Sequence, residues 1–481
     1  MSFTQTEPLD AVDIERLRYR RQWALLYRGD AVRTGWTEVA LDGRWMLSVH
    51  PDARTRTFRV GERGLVSIGS PVQPLGAGGR VDGLLEAACQ ASEDRFEGIV
   101  ATLGGCYVLV RHDASGVRLY TDPAGMAGVY YGHGRAASTP SLVPGAERSS
   151  AVDREFAFGG TDDWYPGSLC PWTGVRALLA NHSLDPETGR IARFWPKASP
   201  ARLSLEEGLE RASSILRGML RGFTQTAPCV VSITGGRDSR VVLAAAREHV
   251  AELEFFTIRR PGMKRCDVEI PLRLASELGL RHELVDWQPS PAWLVELYDE
   301  LASGMAFGAR REILGACRKL ASSRYLHVNG NLGAITKSYF WPSRHPGEVV
   351  VSALAREFVQ RPPMILQGLR EWLATVPELP PTTVYNLMYL EQRGGRWMGI
   401  GETAGALFYE SATPFCSREL FEVVCGMPEE EQYGGRLLES FVARMWPELR
   451  EIPYCPVTRN LGRRIPVRWR HLVKRWIGMG A

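Results

Sequence analysis

Residues 229–240, with the sequence CVVSITGGRDSR, combine the residue types that proteins use to bind phosphate groups. An apolar run ends in the turn Thr234 to Gly236, and Asp238 and Ser239 then precede a helix-forming stretch. This order predicts a buried strand, a glycine turn and a helix whose N-terminal N–H groups face an anion. The Asp238 carboxylate suits the Mg²⁺ that accompanies ATP. The alternative interpretation is an ordinary strand, turn and helix that bind nothing.

This segment resembles the pyrophosphate-binding loop Ser-Gly-Gly-x-Asp-Ser of the N-type ATP pyrophosphatases. The wider pattern of the chain resembles the asparagine synthetase superfamily, which includes β-lactam synthetases and lasso-peptide cyclases. The resemblance implies that the loop holds pyrophosphate, that Asp238 holds Mg²⁺ and that ATP is the cofactor. The residues that it implies for cofactor binding are Ser232, Thr234, Gly235, Gly236, Asp238, Ser239, Thr257, Asn329 and Gly330.

A second loop, at residues 327–335, is similar to the superfamily segment Leu-Ser-Gly-x-Gly-x-Asp-Glu. The resemblance implies that Asn329 and Gly330 border the α-phosphate, where glycine lets the backbone come close. Ala334 stands where the superfamily has a second carboxylate for Mg²⁺. Thr257 lies in a predicted strand whose backbone the resemblance places against adenine, although a plain core strand explains the same residues.

Two further candidate catalytic residues, besides Asp238, follow from the resemblance. Residues 409–415 are similar to the motif Glu-x-Arg-x-Pro-Phe, with Glu410 retained and Ala412 in place of the arginine. Glu410 either orients the substrate or forms a salt bridge at a helix end. Lys474, in the basic stretch 459–475, is a candidate for the C-terminal catalytic lysine of β-lactam synthetases. A solvated basic helix is the other interpretation of that stretch.

The elements expected in the first 200 residues are mostly short strands. Runs rich in aromatic and β-branched residues predict strands at 44–50, 55–60, 106–111 and 117–121, with turn residues between them. Residues 98–131 resemble a glutaminase-type domain, with Thr121 in place of the arginine in its Arg-Asp-Pro-x-Gly motif. Residue 2 is Ser2 instead of the nucleophilic cysteine of glutamine-dependent members. The resemblance therefore implies a domain that does not hydrolyse glutamine. The alternative is that Ser2 itself acts as a weaker nucleophile, activated by a base.

In the second half, predicted helices and strands alternate from a capping box at Ser204 to a strand at 325–329. Such alternation predicts a doubly wound parallel sheet, which binds ligands at the carboxyl ends of its strands. The predicted fold class is therefore α/β, with an N-terminal glutaminase-like (Ntn-type) β-rich sandwich. The predicted domains are 1–198 and 199–481, joined near residues 196–200.

Composition narrows the class of protein. The 481 residues carry a net charge of only +4, which does not favour nucleic acid as a partner. The chain has no long uncharged apolar stretch and no signal-peptide pattern, so a cytoplasmic protein with no membrane span is expected. Nine cysteines without zinc-like spacing predict reduced thiols.

Together these features predict an ATP-dependent ligase that adenylates a carboxylate and joins it to an amine, as in lasso-peptide or β-lactam biosynthesis. Its expected partners are ATP and a small-molecule or peptide substrate, and the sequence leaves a homodimer or pathway partner proteins open. The alternative hypothesis is a non-catalytic protein that retains a nucleotide or peptide site, because Ala334 replaces a carboxylate.

Overall fold

The computed structural model describes residues 14–76, 81–156, 163–305, 311, 313–320 and 325–456. The predictions for Ser2 and Lys474 lie outside these residues, as does the basic stretch 459–475. Within the described part of the chain, no helix is long and apolar enough to cross a membrane.

Antiparallel strands dominate the first half of the chain. In chain order they are β1 (Trp23–Tyr27), β2 (Thr37–Ala40), β3 (Trp45–Val49), β4 (Thr55–Val60), β5 (Arg63–Gly69), β6 (Tyr107–Asp113), β7 (Gly116–Thr121), β8 (Tyr130–Gly132), β9 (Arg135–Ala137), β10 (Arg176–Ala177), β11 (His182–Leu184) and β12 (Ile191–Arg193). They form two six-stranded sheets, ordered β10-β8-β9-β1-β3-β2 and β12-β11-β7-β6-β5-β4. Strands β3, β4, β6 and β7 confirm the four strands predicted here.

The two sheets share an apolar core. Leu25 and Leu47 of the first sheet join Val66, Val110 and Leu119 of the second in one fully buried cluster. Alternate side chains of each strand point into such a core, which is the geometry of a sandwich. The described helices of this half are α1 (Ile14–Leu17), α2 (Val81–Gln90), α3 (Glu93–Thr102) and α4 (Ser150–Glu155). The predicted β-rich sandwich is confirmed.

Helix α5 (Leu205–Thr226) opens the second half at its predicted capping residue. The Ser204 hydroxyl accepts a hydrogen bond from the N–H of Glu207 at 3.2 Å, which satisfies one of the unpaired N–H groups at a helix start. Leu216, Leu220 and Phe223 recur at helical spacing and are fully buried.

A five-stranded parallel sheet forms the centre of the second half. Its strands are β13 (Cys229–Ser232), β14 (Glu254–Arg259), β15 (His282–Asp286), β16 (Leu326–Val328) and β17 (Glu410–Ala412), in the order β15-β14-β13-β16-β17. All four neighbouring pairs are parallel, so the predicted parallel sheet is confirmed. Strands β14 and β15 lie on one side of β13, whereas the next strands in the chain, β16 and β17, lie on its other side. The order in which strands are added to the sheet therefore reverses after β15. Since parallel crossovers are right-handed, connections before and after that reversal lie on opposite faces.

Helices connect and cover these strands. They are α6 (Arg237–Ala245), α7 (Cys266–Leu278), α8 (Ala292–Leu301), α9 (Leu314–Cys317), α10 (Val351–Leu354), α11 (Pro363–Leu373), α12 (Pro381–Met388), α13 (Gly399–Gly405), α14 (Arg418–Gly426), α15 (Glu429–Gln432) and α16 (Arg436–Met445), with a π-helix (Tyr389–Met398) between α12 and α13. Between α8 and β16 the structure describes α9 and the 3₁₀ turn Arg318–Leu320.

Buried polar contacts join the two halves. Arg418 of α14 is fully buried and donates hydrogen bonds to the Thr121 carbonyl and to Asn181 Oδ1, both at 2.8 Å. These acceptors belong to the antiparallel half, next to the turn that resembles the glutaminase motif. The domain boundary at residues 198 and 199 stays a prediction.

The expectation that all nine cysteines are reduced is wrong for two of them. Cys266 and Cys455 form a disulfide with their Cα atoms 5.3 Å apart, a usual separation for such a bond. They are 189 residues apart in the chain, so no local spacing marks them as partners. The other seven are free thiols.

Candidate nucleotide-binding site

The turn after β13 is shaped by its own hydroxyl groups. The Ser239 hydroxyl accepts a hydrogen bond from the N–H of Thr234 at 3.1 Å and lies 3.0 Å from the Thr234 hydroxyl. Thr234 Oγ1 also accepts the N–H of Gly236 at 3.1 Å. Helix α6 then begins at Arg237, and no side chain caps it. The first N–H groups of α6 therefore lack a side-chain acceptor, as an anion site requires.

The loop after β16 packs directly on the first turn of α6. A Cβ atom added to Gly330 would lie 3.0 Å from the backbone carbon of Asp238 and from the nitrogen of Ser239. One added to Gly333 would lie 2.4 Å from Asp238 Oδ1. A methyl group at either position would crowd the first turn of α6. The structure thus brings the two predicted loops together.

Hydrogen bonds fix the second loop. Asn329 donates to the Ser411 hydroxyl at 2.9 Å, and its Oδ1 accepts the N–H of Asn331 at 3.0 Å. Asn331 in turn donates to Glu402 Oε1 at 2.7 Å. The Thr413 hydroxyl donates to the Asn331 carbonyl at 2.6 Å. Asn329 is therefore held in place beside the first turn of α6 by contacts on both sides of its amide.

Asp238 forms an ion pair that the sequence did not predict. Lys337 Nζ lies 2.5 Å from Asp238 Oδ2. Asp238 Oδ1 is buried and has no hydrogen-bond partner among the described residues. The lysine follows Ala334 by three residues, and this proximity to the missing carboxylate is the signal that sequence reasoning overlooked.

The residues around Asp238 do not fit a metal ion held by the protein. Across the described residues, no group of three His, Cys, Asp or Glu side chains could hold a metal. One carboxylate is present, its Oδ2 pairs with an ammonium group, and Gly333 packs against its Oδ1. The metal-ligand role predicted for Asp238 therefore meets a competing cation, because a divalent ion would have to displace Lys337.

Thr257 and Ser232 lie on neighbouring strands beside the turn. Ser232 pairs with Phe256 in the parallel ladder between β13 and β14. The buried Thr257 hydroxyl donates to the Ile233 carbonyl at 2.7 Å and lies 3.0 Å from His282 Nε2. Its side chain thus fastens β14 to the start of the turn.

The two arginines that follow the glycine turn, Arg237 and Arg240, both have partners within the protein. Arg237 lies 2.8 Å from Glu439. Arg240 is buried and donates to the carbonyls of Leu449 and Ile452, both at 2.9 Å, and of Pro453 at 3.1 Å. Burial lowers the pKa of Arg240. Both guanidinium groups are therefore engaged by other parts of the protein.

The last described residues cross the turn. The N–H of Cys455 donates to the Gly235 carbonyl at 2.8 Å, and the Cys266–Cys455 disulfide ties this point to the start of α7. A Cβ atom on Gly235 would lie 2.9 Å from Cys455 Cβ. The carbonyl side of the turn is therefore covered by residues from the end of the described chain.

Glu410, the other described catalytic candidate, lies elsewhere. It is the first residue of β17, two strands away from β13, whereas the two loops leave the carboxyl ends of their strands. Its Oε2 accepts from Arg54 Nε at 3.1 Å, and its Oε1 accepts from the Ser70 hydroxyl. Glu410 therefore forms a salt bridge, which was the alternative prediction for this residue. The salt bridge is located at the start of a strand instead of a helix end, and it joins the parallel sheet to the antiparallel half.

Comparison with models of known protein families finds no match, and comparison with curated protein sequences finds none either. Solved structures match parts of the chain, three of them as follows. One is glutamine-dependent NAD⁺ synthetase from Acinetobacter baumannii with ADP (18% identity, 29% of this chain and 26% of that chain, TM-score 0.19). Another is glutamine phosphoribosylpyrophosphate amidotransferase from B. subtilis with ADP and GMP (13% identity, 76% of each chain, TM-score 0.22).

The third is described as the allosteric regulatory enzyme of purine biosynthesis (12% identity, 66% of this chain and 70% of that chain, TM-score 0.23). The match to the first structure spans about a quarter of that protein's length. Likenesses with TM-scores this low support no argument about the chain. The fold class follows from the strand orders described above.

Proposed function

We propose that this protein is an ATP-dependent, AMP-forming amide synthetase that joins a carboxylate to an amine without hydrolysing glutamine. One observation carries the proposal. The Thr234–Gly236 turn and the Gly330 loop leave adjacent parallel strands and meet at the first turn of α6. Open α/β sheets bind ligands at this edge, and glycine turns at helix N-termini bind phosphate.

In the proposed reaction a carboxylate oxygen attacks the α-phosphorus of ATP, and the bond to the β-phosphate breaks with release of pyrophosphate. The amine then attacks the acyl carbon, loses a proton and displaces AMP. We assign stabilisation of the leaving pyrophosphate to the N–H groups of the Gly235 turn and of the start of α6. Asn329 and Gly330 border the α-phosphate in this proposal, and the backbone near Thr257 borders adenine.

Mg²⁺ enters the proposal only as the ion that accompanies ATP, since the residues at Asp238 do not fit a metal held by the protein. Lys474 stays the candidate for charge stabilisation during amide formation. The proposed partners are ATP and one carboxylate and one amine substrate, either small molecules or peptides.

The experiment is pyrophosphate release from ATP, measured with pools of candidate carboxylates and amines. We expect release that depends on both substrates and is accompanied by AMP instead of ADP. Release of ADP and phosphate would overturn the AMP-forming assignment. Glutamine supplied as the only nitrogen source is expected to yield no glutamate above a heat-denatured control, because Ser2 replaces the cysteine nucleophile.

A second candidate function, a non-catalytic nucleotide-binding protein, is favoured by one specific feature. Ala334 supplies no carboxylate, and the Asp238 carboxylate is paired with Lys337. Such a protein would bind ATP in a titration but release no pyrophosphate with any substrate pool. ATP binding together with substrate-dependent pyrophosphate release would exclude it.

A further inference from the structure

We propose that Lys337 is the resident cation of the nucleotide site, pairing with Asp238 before nucleotide binds and with the phosphate chain afterwards. This inference rests on the proposed nucleotide site. It assigns a phosphate-binding residue that the motifs of the sequence do not indicate. Its first observation is the 2.5 Å contact between Lys337 Nζ and Asp238 Oδ2, across 99 residues of chain.

The backbone around Lys337 holds the lysine in this position. Lys337 ends the 3₁₀ segment Gly333–Lys337, and the residues on either side of that segment, Leu332 and Ser338, have φ values of 66° and 52°. Such left-handed conformations are rare for residues with a side chain and persist only where packing imposes them. The Thr336 hydroxyl closes the segment by donating to the Gly333 carbonyl at 2.7 Å.

The lysine side chain is also guided along its length. Its Cγ lies 3.3 Å from the position that a Cβ atom on Gly435 would take, so the stem packs against that glycine turn. The side chain is 30% exposed and Asp238 is 32% exposed. The lysine side chain is therefore positioned by the protein and partly exposed.

The charges at the start of α6 favour a polyanion. The helix N-terminus carries partial positive charge, and a lysine beside it adds a full one. Asp238 supplies the one carboxylate described in contact with Lys337, while Arg237 is paired with Glu439. A triphosphate bound at the turn would give the ammonium group more negative charge than Asp238 alone, and the lysine would then bridge protein and phosphate.

This arrangement has a measurable consequence for metal dependence. If a protein side chain is the cation of the site, removing Mg²⁺ should raise the nucleotide dissociation constant only slightly. If the site relies on Asp238 as a metal ligand, removing Mg²⁺ should raise that constant strongly. The probe is α,β-methylene-ATP, which cannot undergo cleavage between the α- and β-phosphates, titrated calorimetrically with Mg²⁺ or with EDTA.

For the wild-type protein we expect the dissociation constant to change by no more than about threefold between the two conditions. Lys337→Met keeps the packed stem and removes the charge. It should weaken metal-free binding by about 10- to 100-fold, because a charge-assisted hydrogen bond contributes ~1.5–3 kcal/mol. Lys337→Arg should retain most of the binding.

Lys264→Met is the matched control, because Lys264 is exposed and donates to the Pro456 carbonyl outside the turn. This variant also removes one positive charge, and it should leave the dissociation constants with Mg²⁺ and with EDTA unchanged. Asp238→Asn should bind metal-free nucleotide at least as tightly as the wild type, since it removes the carboxylate that competes for Lys337. Circular dichroism checks that each variant is folded.

Three results would overturn the inference. An increase of more than about 100-fold in the wild-type dissociation constant when Mg²⁺ is removed would overturn it without any variant. Metal-free binding by Lys337→Met as tight as in the wild type, or weaker Mg²⁺-nucleotide binding by Asp238→Asn, would do so as well. In each case nucleotide still binds and the proposed function stands. Absence of wild-type binding in both conditions would overturn the proposed function together with the inference.

Discussion

Single glycine residues decide whether the two loops of the site can meet. Gly330 packs against the backbone of Asp238 and Ser239, both of which belong to the first turn of α6. Backbone atoms cannot move aside as a flexible side chain can. A methyl group at position 330 would therefore press against backbone atoms, so the close contact of the two loops depends on glycine there.

We therefore expect Gly330→Ala to destabilise the protein by about 1–3 kcal/mol, the usual cost of forcing a methyl group into packed surroundings. It should also weaken nucleotide binding, because the first turn of α6 must shift. Chemical denaturation and calorimetry measure the two effects. Gly347→Ala is the control, since a Cβ atom there meets nothing within 4 Å. Equal stability of the two variants would contradict the close packing.

Glu419 on α14 is a second residue with a defined consequence. Burial and the nearby charge of Glu422 raise the pKa of Glu419 from its ordinary 4.5 to about 7, against the opposing charge of Arg211. The folded state thus holds its proton more tightly than the unfolded state. Stability is lost as pH rises from about 4.5 through 7, and the loss is complete above that.

Glu419→Gln should accordingly stabilise the protein at pH 8 by about 1–2 kcal/mol, a figure reduced because the side chain is partly exposed. The gain should vanish near pH 4, where the wild-type carboxyl group is protonated in both states. Thermal unfolding of both proteins across this pH range measures it. A gain that does not depend on pH would assign the effect to packing instead of charge.

At the scale of elements, α6 is held by the end of the described chain. Arg240 on this helix donates to three carbonyls of residues 449–453, and its guanidinium carbon lies 4.6 Å from the centre of the Tyr454 ring. The same segment then reaches Gly235 through the N–H of Cys455. The segment and the Thr234–Gly236 turn therefore form one hydrogen-bonded unit.

Arg240→Met should leave these buried carbonyls without donors and lower the free energy of unfolding by about 2–4 kcal/mol. Hydrogen exchange at the Cys455 amide should become faster, because the segment loses its anchor. Arg247→Met is the matched control, since Arg247 pairs with Glu448 on the surface at 3.0 Å and such pairs contribute about 0–1 kcal/mol. Slow exchange at Cys455 in Arg240→Met would show that the disulfide alone holds the segment.

At the scale of the whole molecule, a buried charge network joins the two halves. The Glu391 side chain is fully buried in the π-helix and accepts from Arg193 at 2.7 and 2.9 Å, from Asn181 at 2.9 Å and from Trp372 at 2.7 Å. Burial alone would raise the pKa of Glu391, but Arg193 and the other donors hold it below its usual range. This stabilisation is present at neutral pH and is lost as pH falls into the acid range.

Arg193→Met would leave Glu391 charged, buried and short of its partner. We expect a loss of about 3–5 kcal/mol at pH 7, the usual cost of removing one partner of a buried pair. Arg176→Met, which removes an arginine paired with Glu371 on the surface, should cost less than about 1 kcal/mol. Because the network spans both halves, each protein should unfold in a single transition by calorimetry. Two separated transitions would show that the halves unfold independently.

The sequence by itself indicated the parallel sheet, four of the antiparallel strands and the order of these elements. The glycine turn after β13, the Ser204 cap, the alternation of strands with helices and the strand runs of the sandwich follow from local periodicity and turn chemistry. Those signals lie within a few residues of one another. Parallel pairing then placed the turn and the Gly330 loop at one edge of the sheet. This much of the candidate site was predictable.

Only the tertiary structure decided which charges meet. Lys337 pairs with Asp238 across 99 residues, Arg193 with Glu391 across 198, and Cys266 with Cys455 across 189. No periodicity links residues so far apart, and each side chain offers the same charge or thiol to many partners. The choice is made by packing, which buries particular groups together and makes an unpaired one costly. For that reason the sequence indicated a carboxylate, Asp238, beside the Thr234–Gly236 turn, and only the folded chain showed that Lys337 pairs with it.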